Sequence, residues 1–320
     1  MTDKTQTHLS VIIVNWNGGL FLRRAVDSVI RHQPRASYQI MVVDNASTDG
    51  SVDWLKPQNI SNDLCHKITL IENSENVGFG RANNQAIREA STPMLLLLNN
   101  DAEVTEGAID ALLATIDSDP RIGACGPRLV NSDGSLQVSA WRNPPAPWDI
   151  LVRGLRLFYL IPRRTRGELL LGKFWDHSHR RDVGMLSAAA LLVKRPVINE
   201  VGGFDERFHM YAEDDEWCLR ATRAGWRLVF EPAAVVIHHG SKSAAVRWDT
   251  LEHSLRVLTE GLRFQRYSLS RVHFVSNVLA NTFVVALAHC WRRIRGIPSI
   301  ETRMKLGIYA KTLMESFRGN

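Results

Sequence analysis

The stretch LLLLNNDAEV, from Leu95 to Val104, is the one that decides the fold. Four consecutive leucines predict a strand that is buried on both faces, as in a parallel sheet covered by helices. The strand then runs into Asn99, Asn100 and Asp101, whose side chains prefer water, a proton or a metal ion. This cluster is either an ordinary turn built from turn-forming residues or a ligand site at the carboxyl edge of an open sheet.

Three earlier segments have the same design. LSVIIVNW (Leu9–Trp16), YQIMVVD (Tyr38–Asp44) and KITLIEN (Lys67–Asn73) read as buried strands, with helical patterns between them. All four strands end in Asn, Asp or Gly. Because the carboxyl ends of parallel strands lie along one edge, these polar residues are expected to line one crevice. The predicted fold class is α/β, with a mostly parallel sheet and helices on both faces.

The pattern changes after Ile122. RLVNSDGSLQVS predicts a hairpin around Ser132 to Gly134, and VGMLSAAALLVKR (Val183–Arg195) predicts one apolar strand. WRLVFEP and AVVIHHG predict two closing strands, and the chain reads as helical from about Arg247 onward.

Positive charge is concentrated in one segment of the 320-residue chain. Residues 150–181 hold seven Arg and one Lys against two acids, a net charge of +6 that equals the net charge of the whole chain. Such a segment suits an anionic partner: nucleic acid, an anionic membrane or a lipid diphosphate. No known nucleic-acid-binding motif accompanies it, so nucleic acid is the least favoured of the three.

The cysteines and the N-terminal segment indicate the compartment. Four cysteines lie far apart without a CxxC pair, which argues against a disulfide or metal framework and favours a reducing cytoplasm. The first ten residues, MTDKTQTHLS, have no apolar signal core, so export is not predicted.

A second segment invites a membrane interpretation. Residues 272–291 contain no charged side chain, a length that could span a bilayer. However, His273, Asn277, Asn281 and His289 fall on four-residue spacings and place polar groups on one face. Core or oligomer packing, contact with a membrane interface, and spanning all remain open, with an amphipathic helix favoured over a lipid-surrounded span.

Six segments, taken in order, resemble glycosyltransferase family 2, of the rhamnosyltransferase-like type. They are SVIIVNWNGG, VVDNASTDGS, NVGFGRANNQAI, LLLLNNDAEV, GGFDERFHMYAEDDEWCLRATRAGWRL and VIHHGSKS, and they extend from about Leu9 to Ser243. The resemblance implies a GT-A fold that binds a nucleotide-diphosphate sugar. The strand-end pattern independently favours a ligand site at the same place.

The resemblance also implies which residues bind the nucleotide. Asp44 would accept a hydrogen bond from the imide N–H of a pyrimidine base, and Asp49 would shape the same loop. Gly78 and Gly80 would let the backbone approach the nucleotide. The full implied set is Asn15, Asp44, Asp49, Gly78, Gly80, Asn99 and Asn100.

A divalent metal ion is the implied cofactor. The NND cluster resembles the family's DxD motif, with Asp101 in the metal-binding position and His238 as a further metal or phosphate contact. Mg²⁺ or Mn²⁺ prefers oxygen ligands and would neutralise charge on the departing diphosphate. Asn99 replaces the first acid of the motif, which is interpreted as variation within the family.

The run Glu213-Asp214-Asp215-Glu216 contains the implied catalytic pair. By itself such a run suits a helix N-terminus, but the resemblance assigns Glu213 and Asp214 to catalysis, with Asp214 as the base. Neighbouring like charges would raise the pKa of this base. One base and no nucleophile implies inversion at the anomeric carbon. Glu216 occupies the place of a second Asp and is expected to pair with Arg220.

The expected organisation is a catalytic GT-A domain over residues 1–245, with a basic acceptor-side segment at about 142–182, and a helical extension over residues 246–320. The expected activity moves a sugar, with dTDP-rhamnose favoured and a UDP-sugar as the alternative donor, to a glycan acceptor that is lipid-linked. Localisation would be cytoplasmic, with peripheral contact at the inner face of the membrane, and a homo-oligomer is a further expectation. The alternative function is an inactive nucleotide-sugar or glycan-binding scaffold. A nucleotide-sugar pyrophosphorylase is disfavoured because no basic Gly-rich loop follows the first strand.

Overall fold

The computed structural model describes residues 7–56, 59, 66–141, 144–240 and 250–317. The chain forms two compact units, residues 1–143 with 177–246, and residues 144–176 with 247–320. Most of the basic segment therefore belongs to the second unit, with the C-terminal helices. The predicted boundary at 245–246 lies outside the described residues, as do Ser243, Cys65 and Arg142.

A ten-stranded sheet organises the first unit, and a two-stranded sheet accompanies it. The order in the larger sheet is β3-β2-β1-β4-β11-β6-β12-β5, with β7 on β6 and β9 on β12, while β8 pairs with β10. The strands are β1 (Leu9–Asn15), β2 (Tyr38–Asp44), β3 (Ile68–Glu72), β4 (Met94–Asn99), β5 (Ala102–Val104), β6 (Ile122–Val130), β7 (Leu136–Gln137), β8 (Ala140–Trp141), β9 (Arg181–Val183), β10 (Met185–Leu186), β11 (Ala190–Lys194) and β12 (Arg227–His238).

The helices that the structure describes are α1 (Leu20–Arg31), α2 (Phe79–Glu89), α3 (Ala108–Asp117), α4 (Pro147–Gly154), α5 (Arg163–Leu170), α6 (Arg195–Val201), α7 (Glu213–Arg223), α8 (Thr250–Ser268), α9 (Arg271–Ile294) and α10 (Ile300–Phe317). Short 3₁₀ turns occur at Asp53–Leu55, Leu157–Leu160 and Gly172–Phe174. The α/β class and the mostly parallel sheet with covering helices are confirmed.

The four leucines of β4 fill both sides of the sheet. Leu96 and Leu98 belong to the main core, while Leu95 and Leu97 line a small apolar cavity on the opposite face, beside Trp217. All four leucines are at most 3% exposed. Strand β4 is therefore buried on both faces, as its unbroken apolar run predicts.

Two strand predictions were wrong in detail. The segment from Val183 to Arg195 forms parts of three strands in two sheets, and β11 runs antiparallel to β4. The two predicted closing strands are one strand, β12, with an irregular register between Glu231 and Val235. Pro232 lies at this irregularity, where a residue without an N–H leaves one ladder bond unmade. A local bulge can thus look like a strand boundary in the sequence.

The second unit has its own apolar core. Leu262, Phe274, Val278 and Tyr309, from the three C-terminal helices, pack together. Helix α4 lies close against α9, because a Cβ placed on Gly154 would be 2.4 Å from Cγ1 of Val284. The absence of a side chain at Gly154 permits this approach.

Candidate active site

The polar strand ends meet at one edge of the sheet. In the parallel pairing of β1 with β2, Asn15 stands opposite Asp44, and in the pairing of β1 with β4, Val14 stands opposite Asn99. The carboxyl ends of three neighbouring strands are therefore adjacent. An ordinary turn at Asn99 to Asp101 would not require polar residues at the ends of the neighbouring strands. The ligand-site interpretation accounts for them.

Asn15 and Asp44 form the centre of a buried hydrogen-bond network. Asn15 Nδ2 donates to Asp44 Oδ1 over 2.9 Å, and Asn100 Nδ2 donates to Asn15 Oδ1 over 2.9 Å. Ser47 donates to Asp44 through both its hydroxyl and its backbone N–H. A carboxylate has about four acceptor positions, so these three bonds hold Asp44 while Oδ2 keeps acceptor capacity.

Asp49 ties two loops together. Its Oδ2 accepts from the Gly19 N–H over 2.8 Å and its Oδ1 from the Ser51 N–H over 3.0 Å. Partial burial acts to raise the pKa of Asp49, but the hydrogen bonds from Ser51 and Gly19 outweigh it and the net pKa is lowered. The Asp49 carboxylate therefore links the loop after β1 to the loop after β2.

Gly78 and Gly80 lie in close contact with the segment of residues 204–209, which a side chain at either position would obstruct. A Cβ on Gly78, whose φ is +92°, would lie 2.7 Å from Nδ1 of His209, and one on Gly80 would lie 3.2 Å from Cβ of Phe204. The segment that precedes α7 therefore packs against both glycines.

Three amide side chains beside Asp44 form a hydrogen-bonded cluster that the sequence did not predict. Asn45 accepts from Asn73 Nδ2 over 2.9 Å and donates to the Gly78 carbonyl. Asn73 and Gln85 exchange hydrogen bonds of 2.8 and 2.9 Å. This cluster joins the ends of β2 and β3 to α2, and the segment ENSENVGFG indicated only that polar residues follow β3.

Asp101 and His238 come together across β5 and β12. Asp101 Oδ1 lies 3.2 Å from His238 Nε2, and Asn99 Nδ2 lies 3.3 Å from the same nitrogen. On the other side of the imidazole, Nδ1 is 2.5 Å from Gln137 Oε1. Gln137 is oriented in turn, because its Nε2 donates to Asn131 Oδ1.

These contacts orient the imidazole of His238. Gln137 presents its oxygen to Nδ1, which donates there, and Nε2 faces the Asp101 carboxylate and the Asn99 amide. A cation between Nε2 and the carboxylate would be held by both atoms. Asn99 Oδ1, buried in the same cluster, has no hydrogen-bond partner among the described residues.

The donor set therefore fits a divalent cation. Carboxylate and amide oxygens with one imidazole nitrogen suit Mn²⁺ or Mg²⁺. Within the described residues, no group of three or more His, Cys, Asp and Glu is arranged to hold a metal ion. Diphosphate oxygens or water would have to complete the coordination.

Asp214 reaches the same edge through one short backbone segment. Its Oδ2 accepts from the Ala188 N–H over 3.3 Å, and the next residue, Ala189, accepts at its carbonyl from the Asn99 N–H over 2.9 Å. The start of β11 thus joins the N-terminus of α7 to the end of β4. The sequence alone gave no indication of this bridge.

The pKa values of Asp214 and Asp215 are raised mainly by burial. The sequence had suggested neighbouring like charges as the cause. Burial raises the pKa of Asp214. Burial and then the charge of Asp214 raise the pKa of Asp215 to about 8, against a hydrogen bond of 3.3 Å from Trp141 Nε1. The two carboxyls interact, and it is Asp215, with its pKa of about 8, that is protonated at neutral pH.

The outer members of the acidic run lie deeper. Glu213 is 7% and Glu216 is 6% exposed. Glu216 pairs with Nε of Arg220 at 2.7 and 2.8 Å, and Arg220 also donates to the Val201 and Gly203 carbonyls. The expected pairing of Glu216 with Arg220 is confirmed, and its contacts are structural ones.

The family's sequence profile matches residues 10–175, described as glycosyl transferase family 2. This range covers β1 to β4 and the polar strand ends described above. The chain belongs to glycosyltransferase family 2.

A curated relative supports the rhamnosyltransferase-like character of this glycosyltransferase. The N-acetylglucosaminyl-diphospho-decaprenol L-rhamnosyltransferase of Mycobacterium tuberculosis is 33% identical over 254 residues, which cover 73% of this chain and 77% of the relative. The resemblance found in the sequence motifs is therefore confirmed at the level of the family and its rhamnosyltransferase-like members.

Solved structures support the GT-A fold of this family 2 chain. A mannosyltransferase from Pyrobaculum calidifontis, in complex with GDP-Man and Mn²⁺, aligns with a TM-score of 0.58 at 18% identity, over 99% of this chain and 77% of its own. GalNAc-T7 with UDP, GalNAc and Mn²⁺ aligns with a TM-score of 0.53 at 21% identity, over 74% of this chain and 44% of its own.

Proposed function

We propose that this glycosyltransferase is an inverting, metal-dependent enzyme that moves rhamnose from dTDP-rhamnose to a hydroxyl group of a lipid-linked glycan. The observation that carries the proposal is the bridge at Ala188 and Ala189. This segment hydrogen-bonds Asp214 on one side and Asn99, a neighbour of His238, on the other. The proposed proton acceptor and the candidate cation site are thus linked through one backbone segment, which supports the proposal.

The donor would lie along the carboxyl ends of β1, β2 and β4. Asp44 is held by Asn15 and Ser47 with acceptor capacity remaining on Oδ2. That oxygen suits the imide N–H of thymine or uracil. A thymine and a uracil nucleotide share this imide, so the preference for dTDP rests on the rhamnosyltransferase relative.

Asp101 and His238 would hold the metal ion, with Asn99 contributing its unpartnered Oδ1. When bound, Mg²⁺ or Mn²⁺ would supply positive charge that stabilises the leaving diphosphate. Asn100 and Asn15, linked side chain to side chain, position the strand ends around it.

Asp214 would act as the general base. The acceptor hydroxyl passes its proton to the carboxylate while its oxygen attacks the anomeric carbon, and the bond to the diphosphate breaks. The raised pKa of Asp214 makes its carboxylate a better proton acceptor than a solvated one. Attack from the face opposite the leaving group inverts the anomeric configuration.

The acceptor and the location follow the same relative. Its name includes a diphospho-decaprenol carrier, and we infer a lipid-linked diphosphate sugar for this chain too. Such an acceptor would be met from the cytoplasm at the membrane surface. We assign recognition of this acceptor to residues 144–176, the part of the basic segment that lies in the second unit.

The proposal is tested by nucleotide release. Wild type, Asp101→Ala and Asp214→Asn would be incubated with dTDP- and UDP-sugars and a lipid acceptor extract, with Mn²⁺, with Mg²⁺ or with EDTA. Metal-dependent release from dTDP-rhamnose that both substitutions abolish supports the proposal. Release from a UDP-sugar instead corrects the donor, and donor binding without turnover favours the scaffold alternative.

A further inference from the structure

Helix α9 turns its polar residues towards the rest of the second unit. His273 Nε2 and Asn277 Nδ2 both contact the Pro145 carbonyl, at 2.9 and 3.0 Å. Asn277 also donates to Gln265, and His289 contacts the Thr302 hydroxyl. The polar spacing seen in the sequence is therefore used inside the unit, against α8, α10 and the segment before α4.

The opposite face of α9 is an exposed apolar stripe. It consists of Val272, Leu279, Phe283, Leu287, Trp291 and Ile294, which are between 46% and 85% exposed. No charged side chain interrupts residues 272–291. Among the described residues, α9 is the one helix long and apolar enough to span a membrane by length and composition. An exposed apolar stripe of this kind marks an interaction surface.

The two units differ in charge. The second unit contains 18 Arg and Lys against 8 Asp and Glu, a net charge of +10, while the first contains 21 against 25, a net charge of −4. Two exposed arginines, Arg293 and Arg295, lie at the end of the stripe, and the Arg295 guanidinium is 4.6 Å from the Trp291 ring centroid. Tryptophan beside arginine is typical of a border between hydrocarbon and lipid headgroups.

We infer that α9 is the membrane-binding element of the protein and lies in the plane of an anionic lipid surface, with the apolar stripe in the acyl region and Arg293 and Arg295 at the headgroups. A lipid-surrounded span is disfavoured because the other face of α9 is bonded to its own unit. A second copy is disfavoured because isologous pairing through this stripe would join two units that each carry +10. An anionic lipid surface would bury the apolar stripe among its acyl chains and attract the positively charged unit to its headgroups.

The inference deepens the proposed function, since a lipid-linked acceptor would lie in such a surface, and it rests on that proposal for its biological meaning. Vesicle binding is nevertheless measured without donor, acceptor or turnover. Its failure would therefore leave the glycosyltransferase proposal standing, and failure of transfer would leave the binding result standing.

The experiment is flotation of the full chain with vesicles of phosphatidylcholine containing 30 mol% phosphatidylglycerol, compared with pure phosphatidylcholine and repeated in rising salt. The apolar variant is Leu279→Ser/Phe283→Ser/Leu287→Ser, and its control is Leu20→Ser, a leucine of the first unit that is 75% exposed, against 46% to 52% for the three residues of the variant. The charge variant is Arg293→Ser/Arg295→Ser, and its control is the exposed pair Arg31→Ser/Arg35→Ser. Thermal unfolding verifies that each variant is folded.

We expect wild type to bind the anionic vesicles and to release them as salt rises. The apolar variant should bind at least about tenfold more weakly, and the charge variant about 25-fold more weakly, since each of the two surface arginines contributes about fivefold. Both controls should bind as wild type does. Equal binding by wild type and the apolar variant, or no binding by wild type, overturns the inference. A wild-type dimer in sedimentation velocity that the apolar variant dissolves overturns it in favour of a second copy.

Discussion

At the scale of single residues, the site depends on partners that hold the candidate ligands in one orientation. His238 is such a case, because Gln137 and Asn131 determine which of its nitrogens faces Asp101. Partners of this kind commonly affect metal affinity by about 10- to 100-fold. Gln137 is therefore a positioning residue for the candidate cation site.

Gln137→Leu is expected to weaken Mn²⁺ binding by about 10- to 100-fold, since His238 loses the acceptor for its Nδ1 proton. The measurement is a titration of free Mn²⁺ by electron paramagnetic resonance, with the nucleoside diphosphate present. Glu103→Gln, which changes the partner of the adjacent His239, is the matched control and should leave the affinity near that of wild type. An unchanged affinity in Gln137→Leu would remove Gln137 from the site.

The acidic pair predicts a pH dependence of stability. The folded-state pKa of Asp215 is about 8, above its ordinary value of 3.8, so the folded state binds the extra proton between these values. The stabilisation is complete below pH 3.8 and is lost as the pH rises through about 8. Asp215→Asn should remove this loss and be more stable than wild type at pH 9 by about 1–3 kcal/mol.

Denaturant unfolding at pH 6 and pH 9 measures this effect. Asp214→Asn is the companion variant: transfer should fall by about 10²- to 10⁴-fold because the proposed proton acceptor is gone, whereas Asp215→Asn retains it. If the two variants lose activity equally, or if Asp215→Asn has the same pH dependence of unfolding as wild type, the roles assigned to the pair are wrong.

At the scale of elements, α7 is anchored by Arg220. The Glu216–Arg220 pair is largely buried, and Arg220 also donates to the carbonyls of Val201, at the end of α6, and Gly203, just after it. The residues before α7 are constrained too, because Tyr211 and Ala212 both have positive φ, at 72° and 67°. Consecutive non-glycine residues in this region need support from surrounding structure. Arg220 supplies part of the support that places Asp214.

Arg220→Ala should destabilise the fold by about 2–4 kcal/mol, because it leaves the buried Glu216 carboxylate without its cation. Chemical denaturation provides the measurement. Arg223→Ala, at an exposed arginine of the same helix, is the control and should cost less than about 1 kcal/mol. Similar losses in the two variants would contradict a special role for Arg220.

At the scale of the whole molecule, the two units have separate cores and opposite net charges. The first is built around the sheet and contains every candidate site residue, and the second contains residues 144–176 of the basic segment and the three C-terminal helices. A substitution within the second core should therefore leave the proposed nucleotide binding by the first unit intact.

Gly154→Ala tests this independence. The added Cβ would lie 2.4 Å from Val284, so we expect a loss of about 1–3 kcal/mol in the stability of the second unit. Gly307→Ala in α10 is the matched control, since nothing lies within 4 Å of its Cβ position and alanine favours the helix by about 0.5–1 kcal/mol. Calorimetry and nucleotide titration measure both effects, and a loss of nucleotide affinity in Gly154→Ala would contradict independence.

The sequence by itself determined strands β1 to β4 and the polar residues at their ends. Strand β2 has the predicted bounds and β4 contains the four predicted leucines, because an unbroken apolar run is a local signal of a buried strand. The tertiary structure alone decided which residues complete the site. Gln137 meets His238 and Trp141 meets Asp215 from 101 and 74 residues away, and no local pattern records such pairs. The same holds for α9: its sequence showed a polar and an apolar face, but only packing against α4, α8 and α10 decided which face remains exposed.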